Sequence, residues 1–131
     1  MGNILKKTLQ FFGDIKLTIF LLFKLFFLVL FATFSQVDIG IFEANNRYFT
    51  SWFVTMGNVP IYFGGYLIGL LLVLNLMASH ATKFRFSKNY IGIFLIHFGL
   101  VLLILGSGLT SFFGEEMQIS IKEGESQNYL E

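Results

Sequence analysis

The sequence predicts an all-α integral membrane protein with three transmembrane helices, a periplasmic interfacial helix and the start of a β-rich periplasmic segment at the C-terminus. Hydrophobic residues make up 55% of the 131 residues and charged residues only 13%, whereas soluble domains carry about 25% charged residues. Three apolar stretches each reach the roughly 20 residues that a bilayer-spanning helix requires. A water-soluble fold of this length could not bury 18 phenylalanines.

Composition also excludes several functional classes. The net charge of +1 provides no basic field for nucleic acid. The chain has no cysteine, which excludes disulfides, cysteine-ligated metals, iron–sulfur clusters and thiol chemistry. Nucleotide-binding glycine loops, metalloprotease histidine pairs and Ser/His/Asp sets are absent from the sequence. We therefore do not expect the lone chain to be an enzyme.

The first 34 residues divide into a lead-in and a first span. Residues 1–14 contain Lys6 and Lys7 and are predicted to form a partly amphipathic cytoplasmic lead-in. Transmembrane helix 1 covers residues 15–34. We predict that this span is not cleaved, because its apolar run exceeds the roughly 7–15 residues of a signal peptide and no small-residue cleavage site follows.

Lys24 places a charge inside the first span. At about 1.5 Å per residue it lies about 12 Å deeper than Lys16. Its ammonium group reaches the headgroups by snorkelling, or the helix starts nearer Leu21. The alternative is that it pairs with an anionic group such as a propionate or a carboxylate.

Residues 35–60 are polar enough to leave the membrane on the periplasmic side. Their apolar and aromatic side chains recur at helical spacing, which predicts an interfacial helix with aromatic anchors; these residues are Ile41, Phe42, Tyr48, Phe49, Trp52, Phe53 and Met56. The pattern ends at Asn58-Val59-Pro60.

Transmembrane helix 2 is predicted over residues 61–79. It contains a G-x-x-x-G motif, Gly65 to Gly69, which permits close approach between helix backbones. Asn75 is polar but uncharged, and we expect it to hydrogen-bond to a neighbouring helix.

Three segments complete the chain: a basic cytoplasmic loop at 80–89, transmembrane helix 3 at 90–113 and a periplasmic tail at 114–131. The tail alternates Met117, Ile119 and Ile121 with polar residues, which predicts a strand. We expect this strand to begin a β domain that is cut short.

Lysine and arginine cluster in the N-terminal segment and in loop 80–89, so the positive-inside rule places the N-terminus in the cytoplasm and the C-terminus in the periplasm.

His97 is the single ionisable residue of the third span. Intramembrane ionisable groups are costly and mark candidate functional sites. The imidazole either bonds to a neighbouring helix or serves as an axial haem ligand, a proton relay or a quinone contact.

The third span also has a glycine face. At 100° per residue, Gly92, Gly99 and Gly106 lie on one side of the helix. We expect that face to pack against a neighbouring helix and the opposite, histidine face to meet a different partner.

His80 is the second candidate, at the cytoplasmic end of the second span. It is either a solvated interfacial residue or a ligand. His97 lies roughly 10 Å below the interface at helical rise, whereas His80 lies near the interface itself. This difference in depth argues against an intrachain clamp on one haem and predicts that the second ligand comes from another chain or segment.

Several short motifs occur in a defined order and spacing. They are Asp14-Ile15-Lys16-Leu17-Thr18-Ile19-Phe20, Gln36-Val37-Asp38, Tyr48-Phe49, Ser51-Trp52-Phe53, Leu74-Asn75-Leu76 with His80, Lys83-Phe84-Arg85-Phe86, Gly92-Ile93-Phe94-Leu95-Ile96-His97-Phe98-Gly99 and Lys122-Glu123-Gly124-Glu125. In this arrangement the chain resembles the N-terminal part of the ResB (CcsB) proteins of system II cytochrome c biogenesis, over essentially its whole length.

The resemblance implies a multi-pass protein of the bacterial cytoplasmic (inner) membrane that works with a CcsA-like haem-handling protein. Together they carry haem to the periplasm and present it for attachment to the C-x-x-C-H motif of apocytochrome c. A transmembrane histidine in each protein ligates the transiently bound b-type haem. His97 best matches the ResB ligand to the haem iron, and His80 is the fallback.

The family also has a large periplasmic β-rich domain and a fourth span, both missing after Glu131. The tryptophan-rich haem-handling motif belongs to the CcsA side and is absent here. We therefore expect any cytochrome c synthase (haem lyase) activity to belong to the complex. Two alternatives are a haem b- or quinone-binding subunit of a respiratory complex and a non-catalytic membrane anchor.

Overall fold

The computed structural model describes residues 1–83, 87–114 and 123–126 and is mostly helical. In chain order its elements are α1 (Gly2–Phe12), α2 (Ile15–Ile39), α3 (Ile41–Ala44), a π-helical turn (Asn45–Phe49), β1 (Phe53–Met56), β2 (Val59–Phe63), α4 (Gly65–Lys83), a 3-10 turn (Lys88–Tyr90) and α5 (Ile91–Phe113). Three helical stretches are long and apolar enough to cross a membrane: Ile15–Ile39, Gly65–Lys83 and Lys88–Phe113. The prediction of three such helices is confirmed.

Helix α2 packs against α4 through buried apolar side chains. Leu21 and Leu28 of α2 are buried, as is Ile68 of α4. Leu28 and Ile68 form one hydrophobic cluster with Val54 of β1. This cluster fixes the two helices and the intervening hairpin relative to one another.

Asn75 lies at the other end of the α2–α4 contact and is only 2% exposed. Its amide group donates hydrogen bonds to the carbonyls of Phe12 and Asp14 and accepts one from the Thr18 hydroxyl. Asp14 also caps α2 by accepting from the Lys16 backbone N–H. The expected bond from Asn75 to a neighbouring helix is confirmed, and it joins α4 to the turn between α1 and α2.

The structure differs from the predicted interfacial helix after Phe49. Helical backbone covers Ile41–Phe49, but residues 53–63 form an antiparallel hairpin in which Phe53 pairs with Phe63. Val54 is the one buried residue of β1, and it points toward the cluster with Leu28 and Ile68. Gly57 adopts a φ of 66° in the connecting turn, a conformation that glycine tolerates without strain. Helix α4 therefore begins at Gly65.

The G-x-x-x-G motif brings two helical backbones together at Gly65 and not at Gly69. A Cβ on Gly65 would lie 2.7 Å from the Cα of Phe49, at the end of the π-helical turn. A Cβ on Gly69 would meet only the Ile104 side chain, at 3.7 Å. The close approach is thus between the start of α4 and the segment that precedes the hairpin.

Helix α5 is the least enclosed of the three long apolar helices in the described chain. None of its residues is buried within the described structure. A Cβ on Gly92, Gly99 or Gly106 would have no described atom within 4 Å. The glycine face thus packs on no helix among the described residues, and its packing on a neighbouring helix stays a prediction; the histidine face contacts α4. The predicted strand at 117–121 lies outside the described residues.

Candidate functional site

The two histidines lie together at one end of the α4–α5 contact. Their ring centroids are 5.3 Å apart and the ring planes are inclined by 83°, an edge-to-face contact. His80 also contacts the ring of Phe94, at 6.1 Å between centroids. The side chains that the sequence singled out are thus neighbours in space, although 17 positions separate them in the chain.

This arrangement corrects the predicted difference in depth. Helix α4 continues past Ser79 to Lys83, so His80 lies within its last turn and not beyond the helix. His97 lies in the second turn of α5, which begins at Ile91. Because α4 and α5 approach each other here, both imidazoles reach the same level.

The hydrogen bond of His80 determines how its imidazole can act. Its Nδ1 lies 2.9 Å from the Leu76 carbonyl oxygen, one helical turn earlier. Because a carbonyl oxygen only accepts, Nδ1 carries the proton, and the lone pair of the neutral ring is on Nε2. Such a bond fixes the tautomer and orientation of a histidine that binds a metal.

His97 differs from His80 at the corresponding atom. Its Nδ1 is buried and has no hydrogen-bond partner among the described residues. Leaving a buried polar atom without a partner costs roughly 1–3 kcal/mol. A buried nitrogen of this kind is suited to a ligand that supplies the missing interaction.

The histidines present can supply one axial ligand to a haem iron. Within the described residues no group of three or more His, Cys, Asp or Glu side chains could hold a bare metal ion. Haem supplies four of its own nitrogen ligands, so a single imidazole suffices on one side of the iron. The edge-to-face contact leaves no room for a porphyrin between His80 and His97. The arrangement fits one axial ligand from this chain, and the second ligand remains a prediction.

Lys24 lies far from this pair, within an aromatic cage formed by Phe20, Tyr62 and Phe63. Its Nζ lies 5.5 Å, 4.9 Å and 5.7 Å from their respective ring centroids. The faces of aromatic rings attract cations. The Tyr62 hydroxyl donates to the Lys24 carbonyl at 2.8 Å, which ties β2 to α2. The described residues thus provide Lys24 with aromatic partners.

Sequence reasoning missed two contributors to the histidine pair, the Leu76 carbonyl and Phe94. The spacing of both residues along the sequence could have indicated their contacts. Leu76 precedes His80 by four residues, the distance of a helical hydrogen bond. Phe94 precedes His97 by three, which places both on one face of α5.

Comparison with known proteins gives one partial match. No protein-family model matches the chain, and no solved structure matches it. Over 61 residues, which are 46% of the chain, the sequence is 41% identical to Protein NrfI of Wolinella succinogenes. The matched stretch is only 6% of that relative. The chain is therefore similar to a short part of a much longer protein.

Proposed function

We propose that this chain is a membrane component of system II cytochrome c maturation. In this role it inserts into the bacterial cytoplasmic membrane through α2, α4 and α5, with its N-terminus in the cytoplasm. With a CcsA-like partner it helps to carry haem to the periplasm and present it to apocytochrome c. The similarity to NrfI supports a role in cytochrome c maturation, and the resemblance to ResB supports the haem-carrying step.

The observation that carries the proposal is the buried Nδ1 of His97 beside the ring of His80. Haem is the cargo, and its iron accepts an imidazole nitrogen. In this proposal His97 holds that iron. The Leu76 carbonyl keeps the His80 ring in one orientation, and Phe94 packs against that ring. Apolar side chains surround the pair, so water competes poorly for the iron.

The test is the absorption spectrum of haem in the purified protein, alone and with a CcsA-like partner. We expect His97→Ala to lose most of the bound haem and His80→Ala to lose less. Leu102→Ala, which truncates an exposed side chain of the same helix, is the matched control and should keep the wild-type spectrum. Added imidazole should restore a ligated spectrum to His97→Ala, since it replaces the missing ligand.

Two results would change the proposal. Haem lost in His80→Ala but kept in His97→Ala would make His80 the ligand. Haem unchanged in both variants would remove haem handling from this chain and leave a membrane anchor. An adjacent CcsA-like reading frame would support the proposal, whereas adjacent respiratory oxidoreductase subunits would favour a respiratory role.

A further inference from the structure

We infer that a groove at the other end of α4 and α5 binds an isoprenoid quinone. The groove has a volume of about 930 Å³, within the roughly 300–1,000 Å³ of small-molecule sites. It includes Tyr66, 14 residues before His80 on the same helix and so roughly 21 Å from it at helical rise. The groove and the histidine pair are therefore separate sites.

Three aromatic rings from three parts of the chain form one wall of the groove. Tyr66 of α4 and Phe112 of α5 are stacked, with centroids 4.8 Å apart and planes inclined by 16°. Trp52, which precedes β1, lies 5.7 Å from Tyr66. All three residues line the groove. Aromatic rings pack favourably against another flat ring, by offset stacking or edge-to-face contact. The wall therefore favours a ligand with a planar head.

The polar groups of the groove are neutral. The Tyr66 hydroxyl and the Ser111 hydroxyl share a hydrogen bond of 2.5 Å, and Asn45, Asn46 and Thr50 line the same space. Among the described residues, no acidic, basic or histidine side chain lines it. Hydroxyl and amide groups can donate to the two carbonyls of a quinone. The described lining therefore provides no opposite charge for the propionates of haem or for the phosphate of a lipid headgroup.

The rest of the lining suits an apolar tail. Leu70, Leu103 and Leu109 extend the groove along α4 and α5. Gly69 leaves space beside Ile104, because even an added Cβ would remain 3.7 Å from it. An isoprenoid chain can occupy this space and pack against these apolar side chains, since association within lipid rests on such van der Waals contacts.

Trp52 provides a local reporter, because it is the single tryptophan of the chain. The experiment titrates decylubiquinone into the full chain in nanodiscs of zwitterionic lipid and follows tryptophan fluorescence. Quinones quench indole fluorescence on contact. We expect saturable quenching in the wild type and an apparent affinity at least fivefold weaker in Phe112→Ala. Tyr66→Phe keeps the ring and should weaken binding about twofold to threefold, the effect of one modest hydrogen bond.

Phe113→Ala is the matched control, because Phe113 is 83% exposed and is absent from the groove lining. It should bind like the wild type. Quenching that stays linear and equal in all variants would mean that the quinone only partitions into the bilayer, and would overturn the inference. Strong quenching by brominated acyl chains that quinone does not relieve would assign the groove to lipid instead, and would also overturn it.

The inference does not depend on haem handling. His97→Ala should retain quinone-dependent quenching whether or not it loses haem. Failure of one proposal is therefore distinguishable from failure of the other.

Discussion

The two faces of α4 are built differently. The face toward α2 has Ile68 and Asn75 fully buried, with apolar contact at one end and a hydrogen-bond network at the other. The face toward α5 buries no described residue of α5. It is held by ring contacts near its two ends, between His80 and His97 and between Tyr66 and Phe112. The first face determines how the helices assemble, and the second leaves a buried nitrogen and an open groove available for ligands.

The largest expected effect on stability comes from Gly65→Ala, which we compare with the same substitution at Gly69. Gly65→Ala would place a Cβ 2.7 Å from the Phe49 Cα, where the Tyr66 N–H donates to the Ser51 carbonyl. Backbone must shift to make room, so we expect a loss of about 3 kcal/mol of folding free energy. The measurement is the thermal unfolding midpoint in detergent.

Gly69→Ala is the matched variant one helical turn further along α4, on the same face of the helix. Its Cβ would meet the Ile104 side chain at 3.7 Å, an ordinary contact. Alanine also favours helix over glycine by up to about 1 kcal/mol, so the midpoint should stay equal or rise. A lower midpoint for Gly69→Ala than for Gly65→Ala would contradict the close backbone approach at Gly65 and the looser contact between α4 and α5 at Gly69.

A smaller loss is expected from Asn75→Ala. The change removes the buried hydrogen-bond partner of two backbone carbonyls and of the Thr18 hydroxyl. We expect it to lower the folding free energy by about 2 kcal/mol. The same thermal measurement applies, with Asn3→Ala on the exposed part of α1 as the control. Equal midpoints for the two variants would show that the network contributes little to the α2–α4 face.

The smallest loss of folding stability is expected from Tyr62→Phe in the hairpin. The variant loses the hydrogen bond to the Lys24 carbonyl, worth about 1 kcal/mol, and keeps the ring that contacts the ammonium group. Burial raises the pKa of the Tyr62 phenol above its usual value of about 10. The neutral phenol is thus favoured in the folded state, and its contribution is present below about pH 10 and lost as the pH rises through the raised pKa.

The wild type should therefore lose more stability than Tyr62→Phe between pH 9 and about pH 11. Thermal unfolding of both proteins across this range measures the difference. Parallel curves would mean that the Tyr62 phenol ionises as easily in the folded state as in the unfolded chain.

The three long apolar helices were predictable because a run of about 20 apolar residues has few other stable uses. Asn75 was predictable for a related reason, since a buried amide must find a hydrogen-bond partner. The hairpin was not predictable from spacing. Phe49, Trp52, Phe53 and Met56 satisfy a helical period, whereas the strand depends on pairing with β2 and on the burial of Val54 against Leu28 and Ile68.

The sequence by itself determined that this chain has three long apolar helices and that two histidines are its candidates for ligand binding. Composition and local order are sufficient for these conclusions. Only the tertiary structure decided that the histidine face of α5 contacts α4, that His80 and His97 touch and that Gly65 approaches Phe49. These features depend on where α4 begins and ends and on how two helices meet, because contacts between distant residues are set by packing and not by the periodicity of either segment.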